Sequence, residues 1–392
     1  MRPAATPSLV STLTRAGALP ERWRPVFEAV PREAFVPPSV WRNDGHQVTP
    51  VDRATDPAGW RALVDGDRAV TVQADDGRTP PGQIGRWPTS STTQPSLVAA
   101  MLDLLDVRDH ASVLEIGTGT GWNAALLCAR LGEQNVTTIE IDPALAATAR
   151  AALATAGHRP TVITGDGAAG WPPGAPYDRI IATCAVRHLP HAWVEQGRPG
   201  GRIVAPVSTV YHPGALVALD VADDGTASGR FGTDAAFMPI RAQRTPVGWL
   251  ADHAHDNVPY DESRTDLHPH HVAGEPHAWF AIGLHLTGID IATQHHPDGH
   301  CDSQCGGQGY DVWFYDPTGT GSAARVTAEP GTTTYPVHQR GPRRLWDEIT
   351  AAHTWWTNAG RPDRERFGLT VTPTGQHTWL NTPSQTIIEL SP

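Results

Sequence analysis

Short apolar runs alternate with helical stretches between residues 111 and 240. The strand-like runs are SVLEIG (112–117), NVTTIEID (135–142), TVITGD (161–166), YDRIIATCA (177–185) and GRIVAPV (201–207). Helical stretches follow the first, second and fourth of these runs, and ALVALDV and SGRF flank an Asp-Asp-Gly turn that indicates a hairpin. Such alternation predicts an α/β fold with a doubly wound, mostly parallel sheet.

The first hundred residues have a less regular pattern. Residues 8–17 and 21–30 predict two short amphipathic helices. Residues 42–93 are rich in Asp, Gly, Pro, Thr and Arg, and they predict a long irregular excursion with few strands. Pro95 then opens a helix, because proline is favoured at the first helical position.

Beyond residue 240 the alternation stops, which predicts an α+β auxiliary domain of common size over residues 241–392. Apolar runs at 277–286 and 310–316 predict strands. Residues 343–356 predict an amphipathic helix, and residues 367–381 predict a hairpin. The sequence therefore predicts two domains, 1–240 and 241–392.

Composition excludes several functional classes. The formal net charge of -11 argues against a protein that binds nucleic acid through phosphate contacts. All 30 basic residues are Arg, so Schiff-base lysine chemistry and a P-loop lysine are excluded. We find neither a signal-peptide core at the N-terminus nor an apolar run of membrane-spanning length, and we predict a cytoplasmic protein without a membrane partner.

The cysteines and histidines give weaker signals. Cys128 and Cys184 lie in apolar runs and are predicted to be buried. The cluster His295-His296…His300-Cys301…Cys305 raises the possibility of zinc, but its spacing matches structural zinc sites poorly. We predict a polar surface loop at this cluster and no metal.

The strongest chemical signal is Glu115-Ile-Gly-Thr-Gly-Thr-Gly121, between a strand and a helix. Its glycines let the backbone turn tightly and approach a ligand. Glu140 and Asp166 end the next two strands, at the edge where open α/β sheets bind ligands. Carboxylates suit a cationic, adenosine-containing cofactor and repel a pyrophosphate, which favours S-adenosylmethionine over NAD. The alternative is that these residues are ordinary turn and cap residues.

Several segments resemble known methyltransferase motifs. VLEIGTGTGWNAALL, TTIEID and GDGAAGW resemble the nucleotide-binding motifs of class I S-adenosylmethionine-dependent methyltransferases, which have a Rossmann-like fold. PREAFVP, TTQPSLVAAML, YDRIIATCAVRHLP and RPGGRIVAPV resemble a narrower family, the protein-L-isoaspartate O-methyltransferases. The resemblance covers roughly residues 20–240, and its motifs occur in the family's order.

The resemblance implies S-adenosylmethionine as cofactor. The implied cofactor-binding residues are Glu115, Gly117, Thr118, Gly119, Gly121, Glu140, Ile141, Asp166, Gly167 and Thr183. The glycines at 117–121 would line the methionine end, with Glu115 orienting their loop. Glu140 would hold the ribose, and Asp166 with Gly167 would contact the adenine.

The resemblance also implies where the methyl acceptor binds. The family's acceptor segment corresponds to Thr92-Thr93-Gln94-Pro95, and Thr93 stands where a serine faces the acceptor. The hydroxyl is retained, while the added methyl group narrows the site. Thr92, Thr93 and Gln94 form the implied catalytic set. A carboxylate is ionised at neutral pH, so methylating it needs no general base.

Two departures from the repair enzymes narrow the resemblance. The region between Pro37 and Thr92 is longer, and the module after residue 240 is expected to have no counterpart. Both resemble a subgroup that methylates Asp in a cyclised, ribosomally made precursor peptide of the lanthipeptide, graspetide or lasso type, before the ester closes to an aspartimide. The resemblance implies this activity, and we predict a monomer in which 241–392 recognises the peptide. The alternatives are isoaspartyl repair and, less favoured, a cofactor-binding scaffold.

Overall fold

A computed structural model describes residues 8–45, 47–244, 259–296 and 309–390. The helices of these residues are α1 (Leu9–Arg15), α2 (Arg24–Ala29), α3 (Pro57–Val64), α4 (Pro95–Leu105), α5 (Trp122–Leu131), α6 (Pro143–Thr155), α7 (His191–Gln196), α8 (His270–Ala273), α9 (Pro276–His285) and α10 (Leu345–Asn358). The first eleven strands are β1 (Ser39–Asn43), β2 (Val48–Asp52), β3 (Val70–Ala74), β4 (Pro88–Thr92), β5 (Val113–Ile116), β6 (Val136–Glu140), β7 (Thr161–Thr164), β8 (Tyr177–Ala182), β9 (Gly197–Val207), β10 (Ala215–Val221) and β11 (Ala227–Asp234). The others are β12 (Asp261–Thr265), β13 (Asp290–His295), β14 (Tyr310–Tyr315), β15 (Ala323–Ala328), β16 (Tyr335–Arg340), β17 (Phe367–Thr372), β18 (Gly375–Leu380) and β19 (Thr386–Leu390).

A ten-stranded sheet in the order β19-β18-β17-β11-β10-β9-β8-β5-β6-β7 forms the centre of the molecule. Strands β9, β8, β5, β6 and β7 are parallel, which confirms the predicted doubly wound α/β fold. The remaining strands join antiparallel. The sheet is therefore mixed where we predicted a mostly parallel one, because β10–β11 and three C-terminal strands extend it.

The C-terminal residues form a second sheet and also return to the first. The second sheet is antiparallel, in the order β12-β16-β15-β14-β13, and α8, α9 and α10 accompany it. Strand β17 pairs with β11 through Ala227↔Val371 to Arg230↔Gly368. One hydrophobic core contains residues from both sides of the predicted boundary, among them Phe231 and Phe280. The division at residue 240 stays a prediction about function.

All but the last of residues 277–286 lie in helix α9 (Pro276–His285), so the strand predicted there is wrong. Nearly every side of this helix is apolar and buried, and it therefore lacks the helical periodicity that a half-exposed helix shows. Its start is marked by Glu275, which accepts a hydrogen bond from the Ala278 amide, and by Pro276 in the first turn. The structure confirms the predicted strand at 310–316, the helix at 343–356 and the hairpin at 367–381.

Residues 38–92 are more regular than predicted. They contain helix α3 and a four-stranded sheet in the order β2-β1-β3-β4, which we call the insert sheet. A small apolar core supports it, in which Val40, Trp60 and Val70 are buried. These strands could not be predicted from the sequence because each is short and turn-forming residues lie between them. Strand β4 ends at Thr92, so the insert sheet delivers the chain directly into the predicted acceptor segment.

The predicted N-terminal helices are confirmed as α1 and α2, with a short 3-10 turn at Glu21–Trp23 between them. The Phe27 ring on α2 meets the Trp122 ring on α5 edge-on at 5.5 Å. In the parts of the chain that the structure describes, no helix is both long and apolar enough to span a bilayer.

Candidate active site

A cavity of about 730 Å³ opens beyond the carboxyl ends of β5, β6 and β8. Every predicted site residue except Glu115 and Gly121 lines it. Those that do are Thr92, Thr93, Gln94, Gly117, Thr118, Gly119, Glu140, Ile141, Asp166, Gly167 and Thr183. The ends of five strands, β4 to β8, thus bring the predicted cofactor and acceptor residues to one place, and the size suits a small-molecule site.

The loop after β5 is fixed between its neighbouring strands. The Gly117 amide donates to the Ile139 carbonyl at 2.8 Å, and the Thr183 hydroxyl donates to the Gly117 carbonyl at 2.5 Å. Gly117 has φ +98°, and a Cβ there would lie 2.7 Å from Thr183 Oγ1. A side chain at 117 is therefore excluded, and the backbone itself forms the cavity wall.

Glu115 lies beneath this loop and is fully buried. Its carboxylate accepts hydrogen bonds from Asn123 Nδ2 at 2.7 Å and from Thr138 Oγ1 at 2.6 Å. The Thr118 and Thr138 hydroxyls are 2.7 Å apart, so Glu115 reaches the cavity wall through a chain of two hydroxyls. Burial raises the pKa of Glu115 to about 7, although both hydrogen bonds oppose the shift. Gly121 caps α5, and a Cβ there would crowd Leu153.

Glu140 presents a nearly buried carboxylate to the cavity. It accepts from the Gly119 amide at 2.8 Å and from the Asp142 amide at 3.0 Å. Burial raises its pKa, while these two amides lower it. A carboxylate has about four lone-pair sites, so two amide bonds leave capacity for hydroxyl donors of a ligand.

Asp166 follows β7 and is exposed at the rim of the cavity. Its carboxylate accepts from the Ala168 amide at 3.0 Å and caps a short 3-10 turn. Asp166 thus fulfils the cap role that we considered as the alternative, and its contact with adenine stays a prediction. A Cβ at Gly167 would lie 2.4 Å from Ile116 Cγ2, so only glycine fits between the loop and β5.

The acceptor segment is held in place by Arg32, which the sequence analysis missed as a site residue. Arg32 is only 3% exposed, and its Nη2 donates to the Thr92 and Thr93 carbonyls at 3.1 and 3.0 Å. It also donates to the carbonyls of Val64, Gly66 and Arg68. Burial lowers its pKa to about 10, so Arg32 stays charged at neutral pH. The PREAFVP run contains Arg32, but its spacing gives no link to Thr92.

Gln94 precedes α4 and lines the cavity. Its Nε2 donates to Asp67 Oδ2 at 3.2 Å and to Ser96 Oγ at 3.0 Å. The side-chain amide therefore connects the acceptor segment to the region between the insert strands. A direct part for Gln94 in methyl transfer stays a prediction.

A second group missed from the sequence joins the insert sheet to the cofactor side of the cavity. We call it the insert clamp: Gln73, Asp76, Asp142, Arg241 and Arg244. Asp142 Oδ2 accepts from Gln73 Nε2 at 3.0 Å and from Arg241 Nη2 at 3.1 Å. Arg244 Nη1 donates to Asp76 Oδ1 at 2.7 Å. Three distant parts of the chain thus meet beside Glu140.

The histidine and cysteine cluster is only partly described. His296 Nε2 lies 3.1 Å from Asp311 Oδ2. His300, Cys301 and Cys305 lie outside the described residues, so the predicted loop is not tested there. Among the residues that the structure does describe, no group of His, Cys, Asp and Glu is arranged to hold a metal ion.

The residues present fit S-adenosylmethionine. Gly117 and Gly119 leave bare backbone at the cavity wall, Glu140 retains acceptor capacity, and carboxylates line a site for a cation. A doubly wound sheet with this loop and these acidic strand ends defines an S-adenosylmethionine-dependent methyltransferase with a Rossmann-like fold.

Comparison with known proteins identifies the family. Residues 75–245 match the family described as protein-L-isoaspartate(D-aspartate) O-methyltransferase. The protein-L-isoaspartate O-methyltransferase of Thermococcus onnurineus (strain NA1) is 40% identical over 157 residues, which cover 40% of this chain and 70% of that protein. Protein-L-isoaspartate O-methyltransferase 1 of Anaeromyxobacter sp. (strain Fw109-5) is 39% identical over 193 residues, covering 47% and 88%. This chain belongs to the protein-L-isoaspartate O-methyltransferase family, and it is a carboxyl O-methyltransferase that uses S-adenosyl-L-methionine.

A solved structure titled protein-L-isoaspartate O-methyltransferase has the same fold over more than the matched segment. Its TM-score is 0.52 at 20% identity, and the match covers 95% of this chain and 99% of that one. Coverage on this scale includes residues beyond 240. The C-terminal module therefore has a structural counterpart, contrary to our expectation that a protein of this title would lack one.

Proposed function

We propose that the cavity binds S-adenosylmethionine along the carboxyl edge of the parallel strands. Gly117 and Gly119 would take the methionine end, Glu140 the ribose hydroxyls, and Asp166 with Gly167 the adenine. When bound, the cofactor supplies an electrophilic methyl group on a sulfonium. Glu140 supports this assignment best, because its carboxylate is held by two backbone amides and still accepts further donors.

We propose that the methyl acceptor is the free carboxylate of an L-isoaspartyl residue in a polypeptide. The observation that carries this proposal is that the acceptor segment and the glycine loop line one cavity. The family relationship favours this acceptor. Thr93, partly exposed in the cavity wall, would position the carboxylate through its hydroxyl.

Methyl transfer to a carboxylate requires the protein mainly to position the two reactants. The acceptor has a pKa of about 4 and is already ionised, so no side chain has to remove a proton. Arg32 fixes the Thr92 and Thr93 carbonyls, which keeps the acceptor segment rigid at the cavity. After esterification, the neighbouring backbone nitrogen attacks the ester carbonyl, the carbon–oxygen bond to the methoxy group breaks, and methanol leaves with the amide proton. The product is a five-membered succinimide.

A second candidate acceptor is the Asp side chain of a cyclised precursor peptide. Thr93 favours it, because its extra methyl group narrows the site in which the family resemblance places a serine. The insert sheet adds a further wall, since β4 leads directly into the acceptor segment. Esterification and ring closure would proceed by the same steps to an aspartimide.

The test compares three acceptors of matched sequence: a linear isoaspartyl peptide, the linear Asp peptide and a cyclised Asp peptide. Each is incubated with the enzyme and S-adenosylmethionine and followed by mass spectrometry for a gain of one methylene and later loss of methanol. We expect turnover of the isoaspartyl peptide. Methylation of the cyclised Asp peptide alone would establish the second candidate. The Glu140→Ala variant is the control that loses activity on every acceptor.

A further inference from the structure

The cavity has a second wall that the cofactor motifs do not build. Three arginines belong to it, Arg187, Arg241 and Arg244. Arg241 and Arg244 are held in the insert clamp by Asp142 and Asp76. Arg187 lies elsewhere, on the loop between β8 and α7, and its side chain is partly exposed to the cavity.

The loop that carries Arg187 is fixed on both sides by glutamine side chains. Gln243 Oε1 accepts from the Arg187 and His188 amides at 2.7 and 3.1 Å. Gln376 on β18 donates through Nε2 to the Arg187 carbonyl at 2.7 Å and accepts from the Leu189 amide at 2.8 Å. Gln376 is only 6% exposed, so these bonds are shielded from water. The backbone at Arg187 is therefore rigid.

The C-terminal residues also supply a charge opposite Arg187. Asp290, the first residue of β13, lines the same cavity. Partial burial lowers the pKa of Arg187, and the attraction of Asp290 opposes this shift. A guanidinium carries five N–H donors in a planar fork, so one carboxylate does not exhaust them. Asp290 therefore attracts the Arg187 guanidinium electrostatically.

The accepting carboxylate is not the best partner for such an arginine. That carboxylate loses its charge as the ester forms, so a guanidinium bound to it would stabilise the ground state more than the transition state. A carboxylate that keeps its charge throughout the reaction has no such cost. An arginine in this wall is therefore best suited to hold a second acidic group of the substrate.

We propose that Arg187 is a specificity-determining residue, whose guanidinium binds the carboxylate of an acidic side chain next to the methylated residue in the polypeptide substrate. This inference rests on the proposed function, because it requires a polypeptide acceptor in the cavity. It gives the C-terminal module a part in substrate choice, since Gln376 fixes the Arg187 backbone and Asp290 attracts its guanidinium.

The experiment uses isoaspartyl peptides that differ only in having Glu or Gln on both sides of the acceptor, and the same pair in a cyclised Asp peptide. Steady-state kcat and KM are measured for the full chain and for Arg187→Gln, Arg187→Lys and Arg108→Gln. Arg108 is exposed and outside the cavity, so Arg108→Gln is a matched control for lost charge. We expect the wild type to prefer the Glu peptide by at least about tenfold in kcat/KM, as a charge-assisted hydrogen bond provides.

Arg187→Gln should abolish this preference by raising KM for the Glu peptide, with kcat retained and the Gln peptide affected less than about twofold. Arg187→Lys should keep part of the preference, and Arg108→Gln all of it. Equal losses on both peptides would show a structural role and overturn the proposal, as would a wild type without preference. If only the cyclised pair is methylated, isoaspartyl repair is contradicted. The preference for Glu over Gln in the wild type and in the Arg187 variants is then measured on the cyclised pair. Methylation of neither pair would overturn both proposals.

Discussion

Glu115 shows how a single residue can support a site that it does not touch. It is fully buried, and the Thr138 and Thr118 hydroxyls connect it to the cavity wall. Its pKa of about 7 means that the protonated and ionised forms are both present at neutral pH. The stiffness of the glycine loop is thus linked to the protonation of a group in the core.

Glu115 should make the stability of the protein depend on pH. Because the folded pKa is raised from 4.5 to about 7, the folded state binds the extra proton, and stability present below pH 4.5 is lost as pH rises through about 7. The effect is on the order of 3 kcal/mol at most, at about 1.4 kcal/mol per pKa unit. In Glu115→Gln this part of the pH dependence should vanish. Calorimetric Tm values at pH 5 and pH 8 test this prediction. It is refuted if the Tm difference between the two pH values is the same in Glu115→Gln as in the wild type.

Glu140 should govern affinity for the cofactor. Glu140→Gln keeps the shape of the side chain but replaces the charged carboxylate that would accept hydrogen bonds from the ribose hydroxyls. We therefore expect the Kd for S-adenosylhomocysteine to rise about 10- to 100-fold. Isothermal titration calorimetry measures this directly. Glu195→Gln, on the exposed face of α7, is the control and should bind as the wild type does. Equal affinities of Glu140→Gln and wild type would remove Glu140 from the cofactor site.

Arg32 should affect stability and turnover together. Arg32→Met leaves the Thr92 and Thr93 carbonyls without their donor in a buried place, which should cost about 3 kcal/mol in the free energy of unfolding. The acceptor segment would become mobile, so kcat should fall more than the KM for S-adenosylmethionine rises. Thermal unfolding and steady-state kinetics measure the two effects. Arg108→Met is the exposed control, and a variant with lower Tm but normal kcat would contradict the positioning role.

At the scale of elements, the insert clamp closes one side of the cavity. It joins β3, the loop before α6 and the segment after β11 through Asp142, Asp76 and two arginines. Opening it requires these contacts to break together. We therefore expect the insert sheet to govern release of the cofactor product, besides leading the chain to the acceptor segment.

Removing Arg241 should weaken this closure. Its side chain is 33% exposed, so its ion pairs are partly screened and each contributes less than about 1 kcal/mol. We expect Arg241→Ala to speed release of S-adenosylhomocysteine by about two- to fivefold, measured by stopped-flow displacement. Arg130→Ala is the matched control, because Arg130 is similarly exposed and forms an ion pair with Asp109 outside the cavity lining. The same release rate in all three proteins would show that the clamp does not hold the cofactor.

Local pattern was enough for some elements and insufficient for others. The parallel strands and the glycine loop could be predicted, because their signals lie within a few residues of each other. Helix α9 could not, since it is apolar on nearly every side and only the Glu275–Pro276 start distinguishes it from a strand. Arg32 contacts a residue 60 positions away and Gln376 one 189 positions away, and sequence spacing does not predict contacts over such distances.

At the scale of the whole molecule, the central sheet makes the two predicted domains interdependent. Strand β17 covers the edge of β11, and the Phe280 ring lies 5.0 Å from Phe231 and 5.7 Å from Phe367. The core of the methyltransferase part is thus completed by residues that lie beyond the predicted boundary at residue 240.

A chain that ends at residue 244 should therefore fail to fold stably. It would expose the β11 edge and the Phe231 side chain, which is 2% exposed in the full chain. We expect aggregation or non-cooperative thermal unfolding, followed by circular dichroism and size-exclusion chromatography against the full chain. A monomeric truncated protein with a sharp transition near the Tm of the full chain would show that the first 244 residues are independent.

The hydrogen bonds from Gln376 to the loop at 187–189 have a consequence for engineering the acceptor specificity. A library confined to the cavity lining would leave out β18, although the Gln376 side chain sets the backbone on which Arg187 stands. A chimera joined near residue 240 would pair this loop with a foreign strand and lose that support. Selectivity should therefore be transferred between relatives by exchanging the loop, Gln243 and β18 as one unit.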